Sequence, residues 1–143
     1  MLEAELALAS RYDAVEVAEQ LLAALCAGAG WGEEERYWVV AATREAVANA
    51  IRHGNREREE LAVAVRLRVS GEELEVEVAD RGAGFDPAAV PDPTAPENLL
   101  RPCGRGIFYM KRFMDRVTFS PREGGGTVVT MKRRRRPPER STE

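Results

Sequence analysis

The sequence predicts an α+β (α/β two-layer) sandwich in which a mostly antiparallel sheet is covered on one face by helices. Three observations support this fold class. Two segments with helical periodicity come first, two pairs of alternating segments follow, and short turns join each pair into a hairpin. Strands joined by hairpins are antiparallel, so a doubly wound parallel sheet does not fit.

The first predicted helix runs from about Asp13 to Ala27, because apolar residues recur at helical spacing and glycines then stop the pattern. The second follows Trp31, begins with three glutamates that complement the positive end of the helix dipole, and continues to about His53. Its predicted core face carries Tyr37, Val40, Ala41, Val47, Ala48 and Ile51.

A second stripe on this helix is polar. Glu45, Asn49 and His53 are spaced four residues apart and share the stripe with the small residues Ala42 and Ala46. A polar row bordered by alanines leaves room for a ligand.

The segment from Leu61 to Val69 alternates strictly between apolar and other residues, which predicts a half-buried strand. Gly71-Glu72 fits a two-residue hairpin turn of the type that favours glycine first. Counting outward from the turn puts apolar pairs on one face and opposite charges on the other. The predicted pairs are Val69 with Leu74, Leu67 with Val76, Arg68 with Glu75, and Arg66 with Glu77.

The rest of the chain alternates between loops and short elements. A proline-rich loop spans 87–103, a short helix runs from Gly106 to about Phe113, and a second hairpin pairs 117–120 with 127–132 across a loop with three consecutive glycines. We expect one domain over residues 1–132. The basic segment 133–143 is then either a disordered, solvated tail or a contact for an acidic partner or a phosphate.

Charge and composition limit the possible functions. A net charge of -3 argues against a nucleic-acid-binding protein, and no apolar run is long enough to cross a membrane. The N-terminus lacks the basic and apolar regions of a secretory signal. The only two cysteines, Cys26 and Cys103, are far apart in the sequence and indicate neither a metal knuckle nor a framework of several disulfides, so a reducing cytoplasm is the expected location.

Three short blocks point to a nucleotide site: Glu45-x-x-x-Asn49-Ala50, Asp80-x-Gly82-x-Gly84 and Gly104-x-Gly106. Neither a P-loop nor a complete dinucleotide fingerprint is present. In this order the blocks resemble the gyrase, heat-shock chaperone, histidine-kinase and mismatch-repair ATPase superfamily, which implies a Bergerat-type ATP-binding fold. His53-Gly54 and the segment that begins at Gly104 are similar to those of the small bacterial anti-sigma factor serine kinases, and this likeness covers about residues 13–132.

The resemblance implies a role for each matching residue. Asn49 is expected to coordinate Mg²⁺ that bridges the phosphates of ATP, and Glu45 to act as the general base. Asp80 is expected to accept a hydrogen bond from the adenine amino group, while Gly82 and Gly84 let the backbone approach the base. Thr127 resembles the family threonine near adenine, or is an ordinary first residue of a strand.

The remaining implied roles concern the phosphates. The loop 87–103 corresponds to the ATP lid, with Gly104 and Gly106 at its hinge and backbone amides at the helix start holding phosphate oxygens. Arg105 either contacts the γ-phosphate or is solvated. His53 is a phosphate neighbour, or it caps or packs against the helix end. Cys103 is an ordinary thiol or a site of oxidation.

The function that this resemblance implies is an ATP-dependent serine/threonine protein kinase and anti-sigma factor. Such a protein binds a sigma factor, phosphorylates a small antagonist of the anti-sigma factor, uses ATP and Mg²⁺, and forms a homodimer. Two alternatives remain open. One is a nucleotide-gated module that binds partners without phosphate transfer, and the other is a stand-alone ATPase domain of the histidine-kinase type.

Overall fold

The computed structural model describes residues 1–82 and 105–136. In this part of the chain, three α-helices lie on one antiparallel sheet. The helices are α1 (Val15–Gly28), α2 (Glu33–Asn49) and α3 (Arg105–Phe113). A short 3-10 turn (Tyr12–Ala14) precedes α1, and a π-helical turn (Ala50–Gly54) extends α2.

The described part of the sheet has five strands in the order β1-β2-β3-β5-β4. They are β1 (Leu2–Ala9), β2 (Ala62–Val69), β3 (Glu73–Ala79), β4 (Arg116–Pro121) and β5 (Thr127–Arg134). All four predicted pairs between β2 and β3 are present, so the predicted register is confirmed. Gly71 does not have a positive φ, however, so the turn is not of the type that needs glycine first.

The edge strand β1 was not predicted from the sequence. Its residues are alanine, glutamate and leucine, which are strong helix formers. Pairing with β2 overrides that preference, since each residue from Leu2 to Ala9 faces a residue of β2. Glu3 and Glu5 form ion pairs with Arg68 and Arg66 across the two strands.

The core lies between the sheet and the helices, and it includes the fully buried side chains Leu22, Ile51, Leu67 and Met131. The predicted core face of α2 is partly wrong. Tyr37 is 69% exposed, whereas the buried side is formed by Val39, Ala42, Thr43, Ala46 and Val47. Helix α2 contacts both α1 and α3, so the small residues of the predicted ligand stripe, Ala42 and Ala46, are buried instead.

The basic segment predicted as a tail from position 133 begins inside the sheet. Strand β5 continues through Arg134, and Arg133 is only 2% exposed. Backbone pairing with β3 reaches this far, because Glu73 faces Arg134 and Leu74 faces Arg133. Residues 137–143 lie outside the described part of the chain.

Among the helices of residues 1–82 and 105–136, none combines the length and hydrophobicity that crossing a membrane requires.

Candidate functional site

The first part of the site is the C-terminal end of α2. Glu45 and Asn49 lie one turn apart on this helix and are both half-buried. The start of α3 packs directly against them, because a Cβ atom built on Gly106 would lie 2.7 Å from Oε2 of Glu45 and 3.3 Å from Nδ2 of Asn49. A larger residue here would have to push the Glu45 carboxylate aside and shift the Asn49 amide slightly, so glycine gives α3 its close approach to both side chains.

Helix α3 runs antiparallel to α2. Gly106 near its start contacts residues late in α2, whereas Phe113 at its end stacks on Trp38 early in α2, with ring centroids 6.2 Å apart. The N-terminus of α3, with its unsatisfied N–H groups, is therefore next to the carboxylate of Glu45 and the carboxamide of Asn49.

The second part of the site surrounds Asp80, which follows the last residue of β3 and is 4% exposed. Its Oδ1 accepts two backbone hydrogen bonds, from Gly82 N–H at 3.0 Å and from Thr127 N–H at 3.1 Å. Thr127 is thus placed beside Asp80 through its backbone. The two bonds hold the carboxylate in one orientation at the end of the sheet.

Three glycines allow the backbone to surround Asp80. A Cβ atom on Gly54 would overlap the Asp80 carboxylate, and one on Gly126 would overlap the Asp80 carbonyl group. A Cβ on Gly82 would overlap the carbonyl of Gly54. Gly126 also has a φ of +110°, which other residues rarely adopt. The sequence identified Gly82 from its motif, but the close approaches at Gly54 and Gly126 depend on the tertiary structure.

The π-helical turn connects the two parts of the site. It follows Asn49 directly and ends at Gly54, which contacts Asp80. π-Helical turns within α-helices occur frequently at functional sites. His53 lies on this turn with an exposed side chain, and partial burial together with the nearby Arg52 cation lowers its pKa from the usual value.

Two residues near Asp80 were not identified from the sequence. Arg122, in the loop between β4 and β5, donates a hydrogen bond from Nη1 to the Asp80 carbonyl at 3.1 Å. Asn55 accepts a hydrogen bond from Arg81 N–H at 2.7 Å. Neither residue belongs to a motif. Exposed charged residues such as Arg52 and Arg56 lie near Asn55 in the sequence and suggest a loop surface rather than the buried position that it has.

Several predicted site residues lie outside the described part of the chain. These are Gly84, Gly104, the lid segment 87–103 and Cys103. Arg105 is described only as the first residue of α3. The described site therefore brings Glu45, Asn49 and Gly106 together at one end, and Asp80, Gly82 and Thr127 at the other.

The residues present fit ATP and Mg²⁺. Hard Mg²⁺ prefers oxygen ligands, which the carboxamide of Asn49 and phosphate groups supply. The start of α3, which glycine brings against Asn49, offers backbone N–H groups and a positive helix end for phosphate oxygens. The buried carboxylate of Asp80 can accept a hydrogen bond from an amino group such as that of adenine.

A helical layer on an antiparallel sheet, with this arrangement at one end, defines an ATPase domain of the histidine-kinase type. Residues 8–133 match the family model described as histidine kinase-like ATPase domain, and the chain belongs to this family. Both the predicted α+β fold and the predicted superfamily are confirmed.

Curated relatives within this family include anti-sigma factors and protein kinases. The chain is 33% identical to an anti-sigma F factor of Clostridium beijerinckii over 97 residues, which cover 66% of this chain and 67% of the relative. It is 26% identical to the serine-protein kinase RsbW of Listeria innocua over 131 residues, covering 87% and 83% of the two chains.

A solved structure shares the fold. The crystal structure of the RsbU and RsbW domains of a Mycobacterium tuberculosis protein matches with a TM-score of 0.68 at 19% identity. The match covers 96% of this chain and 34% of the solved chain, so this protein spans about a third of that longer chain.

Proposed function

We propose that this protein is an ATP-dependent serine/threonine protein kinase that acts as an anti-sigma factor. The observation that carries the proposal is the contact of Gly106 with both Glu45 and Asn49, which brings a carboxylate, a carboxamide and a helix N-terminus together. The names of the relatives, anti-sigma F factor and serine-protein kinase, support it. A single catalytic domain is part of the proposal, and it extends beyond the expected limit of residue 132 because β5 continues to Arg134.

Adenine recognition is assigned to the buried end of the site. The carboxylate of Asp80 accepts a hydrogen bond from the adenine amino group, and guanine is disfavoured because it presents a carbonyl oxygen there. Gly82 and Gly84 let the backbone come close to the base, and Thr127 lies beside Asp80.

Phosphate transfer is assigned to the other end. Asn49 would hold Mg²⁺ together with phosphate oxygens, and the ion would supply positive charge against the triphosphate. Glu45 accepts the proton of the attacking serine or threonine hydroxyl. Gly104 and Gly106 let the chain turn over the phosphates, while Arg105 and His53 contribute positive charge or hydrogen bonds near them. In-line transfer needs mainly such positioning, together with a metal ion and a base.

The partners follow from this role. The protein binds a sigma factor and a small antagonist protein, and phosphorylation of the antagonist changes which partner the kinase holds. It works in the cytoplasm without contacting nucleic acid directly. We further propose a homodimer, which light scattering at micromolar concentration checks, and a monomeric mass would contradict that part.

A substitution at Glu45 tests the kinase assignment. Glu45→Gln keeps the size of the side chain next to Gly106 but removes its ability to take a proton, so transfer from γ-labelled ATP should fall by about 100-fold or more. ATP affinity should stay within about twofold, because the base acts on the attacking hydroxyl rather than on the nucleotide. Proteins from the source organism serve as acceptors, and mass spectrometry identifies the labelled residue.

Glu34→Gln is the matched control, because Glu34 lies on the same helix but is exposed in its first turn. Acid-stable label on serine or threonine, lost only in Glu45→Gln, supports the kinase. Acid-labile label on histidine favours the histidine-kinase alternative. ATP binding without any transfer by the wild type favours the nucleotide-gated binding module.

A further inference from the structure

We propose that Asn55 is a positioning residue that fixes the adenine-recognising carboxylate of Asp80 and thereby sets the selectivity for adenine over guanine. This inference rests on the proposed ATP-binding function and adds a residue that belongs to none of the three sequence blocks. It starts from an anomaly of burial. Asn55 is 1% exposed, whereas the residues on either side of the Gly54-Asn55 pair, His53 and Arg56, are exposed.

The buried amide of Asn55 uses both its donor and its acceptor. Nδ2 donates to the Ser10 hydroxyl at 2.9 Å and to the carbonyl groups of Leu61 and Ala62 at 3.2 and 3.3 Å. Oδ1 accepts from Arg81 N–H at 2.7 Å. The Ser10 hydroxyl completes the network by donating to the Leu61 carbonyl at 2.6 Å.

These partners fix the orientation of the amide. The carbonyl groups of Leu61 and Ala62 can only accept, and the N–H of Arg81 can only donate. A reversed amide would place its oxygen against the two carbonyls and its NH₂ group against the Arg81 N–H. A carboxylate does not replace it, since one oxygen would then face the two carbonyls. The position therefore requires an amide whose oxygen points to Arg81.

The hydrogen bond to Arg81 holds the peptide that directly follows Asp80. The Asp80 carboxylate itself is held by Thr127 N–H and Gly82 N–H, which both donate to its Oδ1. Asn55 also comes immediately after Gly54, whose backbone contacts the Asp80 carboxylate, and its own N–H closes the π-helical turn on the Ala50 carbonyl. Asn55 thus fixes the end of α2 and the turn after β3 relative to each other.

This connection has a consequence for selectivity. If the peptide after Asp80 is free to rotate, the carboxylate loses its fixed position toward the adenine amino group. Guanine has no donor at that place, so it makes no hydrogen bond to a fixed Asp80 and loses none when the carboxylate moves. Loss of Asn55 should therefore weaken the binding of ATP more than the binding of GTP.

The test compares dissociation constants for ATP and GTP in the wild type, Asn55→Ala and Ser10→Ala. Asn55→Ala should raise the Kd for ATP by about tenfold, the upper range for one hydrogen bond, and change that for GTP by less than about twofold. Ser10→Ala removes one partner of Nδ2 but leaves the bond to Arg81. It should lower the melting temperature and leave the ratio of the two constants unchanged.

An unchanged GTP-to-ATP ratio in a folded Asn55→Ala protein would overturn the inference, and so would a loss of selectivity in Ser10→Ala equal to that in Asn55→Ala. Hydrogen exchange of the wild-type Arg81 amide gives a second readout that needs no variant to fold. Protection comparable to that of β3 amides supports the inference, and exchange at the rate of an unstructured peptide contradicts it. A wild type that binds no ATP would contradict the proposed function, while the exchange rate still tests the contact with Asn55.

Discussion

At the scale of single residues, Cys26 shows how burial changes chemistry away from the site. Its side chain is fully buried on α1 and forms no disulfide. Burial, only partly offset by the charge of Arg36, raises the pKa of the thiol to about 12. The thiol therefore stays protonated in the folded protein at any ordinary pH, which makes it a poor nucleophile.

This pKa shift predicts a pH dependence of stability. The folded pKa lies above the unfolded one, so the contribution is complete below the unfolded value near 9 and is lost as the pH rises toward about 12. Between pH 9 and 10 the free energy of unfolding should fall by about 1 kcal/mol more in the wild type than in Cys26→Ala. Urea denaturation at both pH values measures this difference, and equal losses in the two proteins would contradict it.

The residues that could be identified from the sequence are those that act within short motifs. Glu45 and Asn49 are neighbours on one helix, and Asp80 and Gly82 are two positions apart, so local spacing reveals them. Asn55 acts through partners such as Ser10, 45 positions away. No local pattern can indicate such a contact, because it exists only after β1 and β2 have paired.

At the scale of elements, Arg133 joins three of them. From β5 its Nε donates to Glu35 on α2 at 3.0 Å, and its Nη1 donates to the carbonyl of Phe113 at the end of α3. The guanidinium also lies over the ring of Trp38, with Cζ 5.3 Å from the centroid. A cation at the C-terminus of α3 also complements the negative end of that helix.

Arg133→Ala should therefore be strongly destabilising. It removes the Arg133 donor from the Phe113 carbonyl. It also leaves the Glu35 carboxylate, only 15% exposed, without its ion-pair partner and with the backbone N–H of Arg136 as a remaining donor. Breaking a buried ion pair from one side costs about 3 kcal/mol or more in the free energy of unfolding. Arg134→Ala is the control, because that neighbouring side chain is exposed on the same strand. Urea denaturation that gives similar values for the two variants would show that Arg133 does not join the elements as proposed.

The elements differ in how well their buried faces can be predicted from the sequence. The hairpin of β2 and β3 was predicted with its register, because its two faces differ in polarity. The core face of α2 was predicted less well, because this helix packs on α1 and α3 as well as on the sheet side of the core. A helix with several buried sides gives no single apolar stripe from which its orientation can be inferred.

At the scale of the whole molecule, the candidate site is assembled from distant segments. The end of α2, the turn after β3, the start of α3 and the start of β5 all contribute to it. These segments meet only in the folded sandwich. A nucleotide that binds them all should therefore stabilise the entire domain against unfolding, since it binds only the native state.

Asp80→Asn tests this linkage with little change to the fold. An asparagine oxygen can still accept the hydrogen bonds from Gly82 and Thr127, while the second carboxylate oxygen is replaced by an amide group that donates rather than accepts. The variant without nucleotide should melt within a few degrees of the wild type. At a concentration of Mg²⁺-ATP 100 times the wild-type Kd, the nucleotide should raise the free energy of unfolding of the wild type by about 2.7 kcal/mol. For a variant that binds ATP tenfold more weakly the rise should be about 1.4 kcal/mol, and thermal melts with and without nucleotide distinguish the two. An equal gain in both proteins would mean that Asp80 does not recognise the adenine amino group, whereas no gain in either would contradict ATP binding itself.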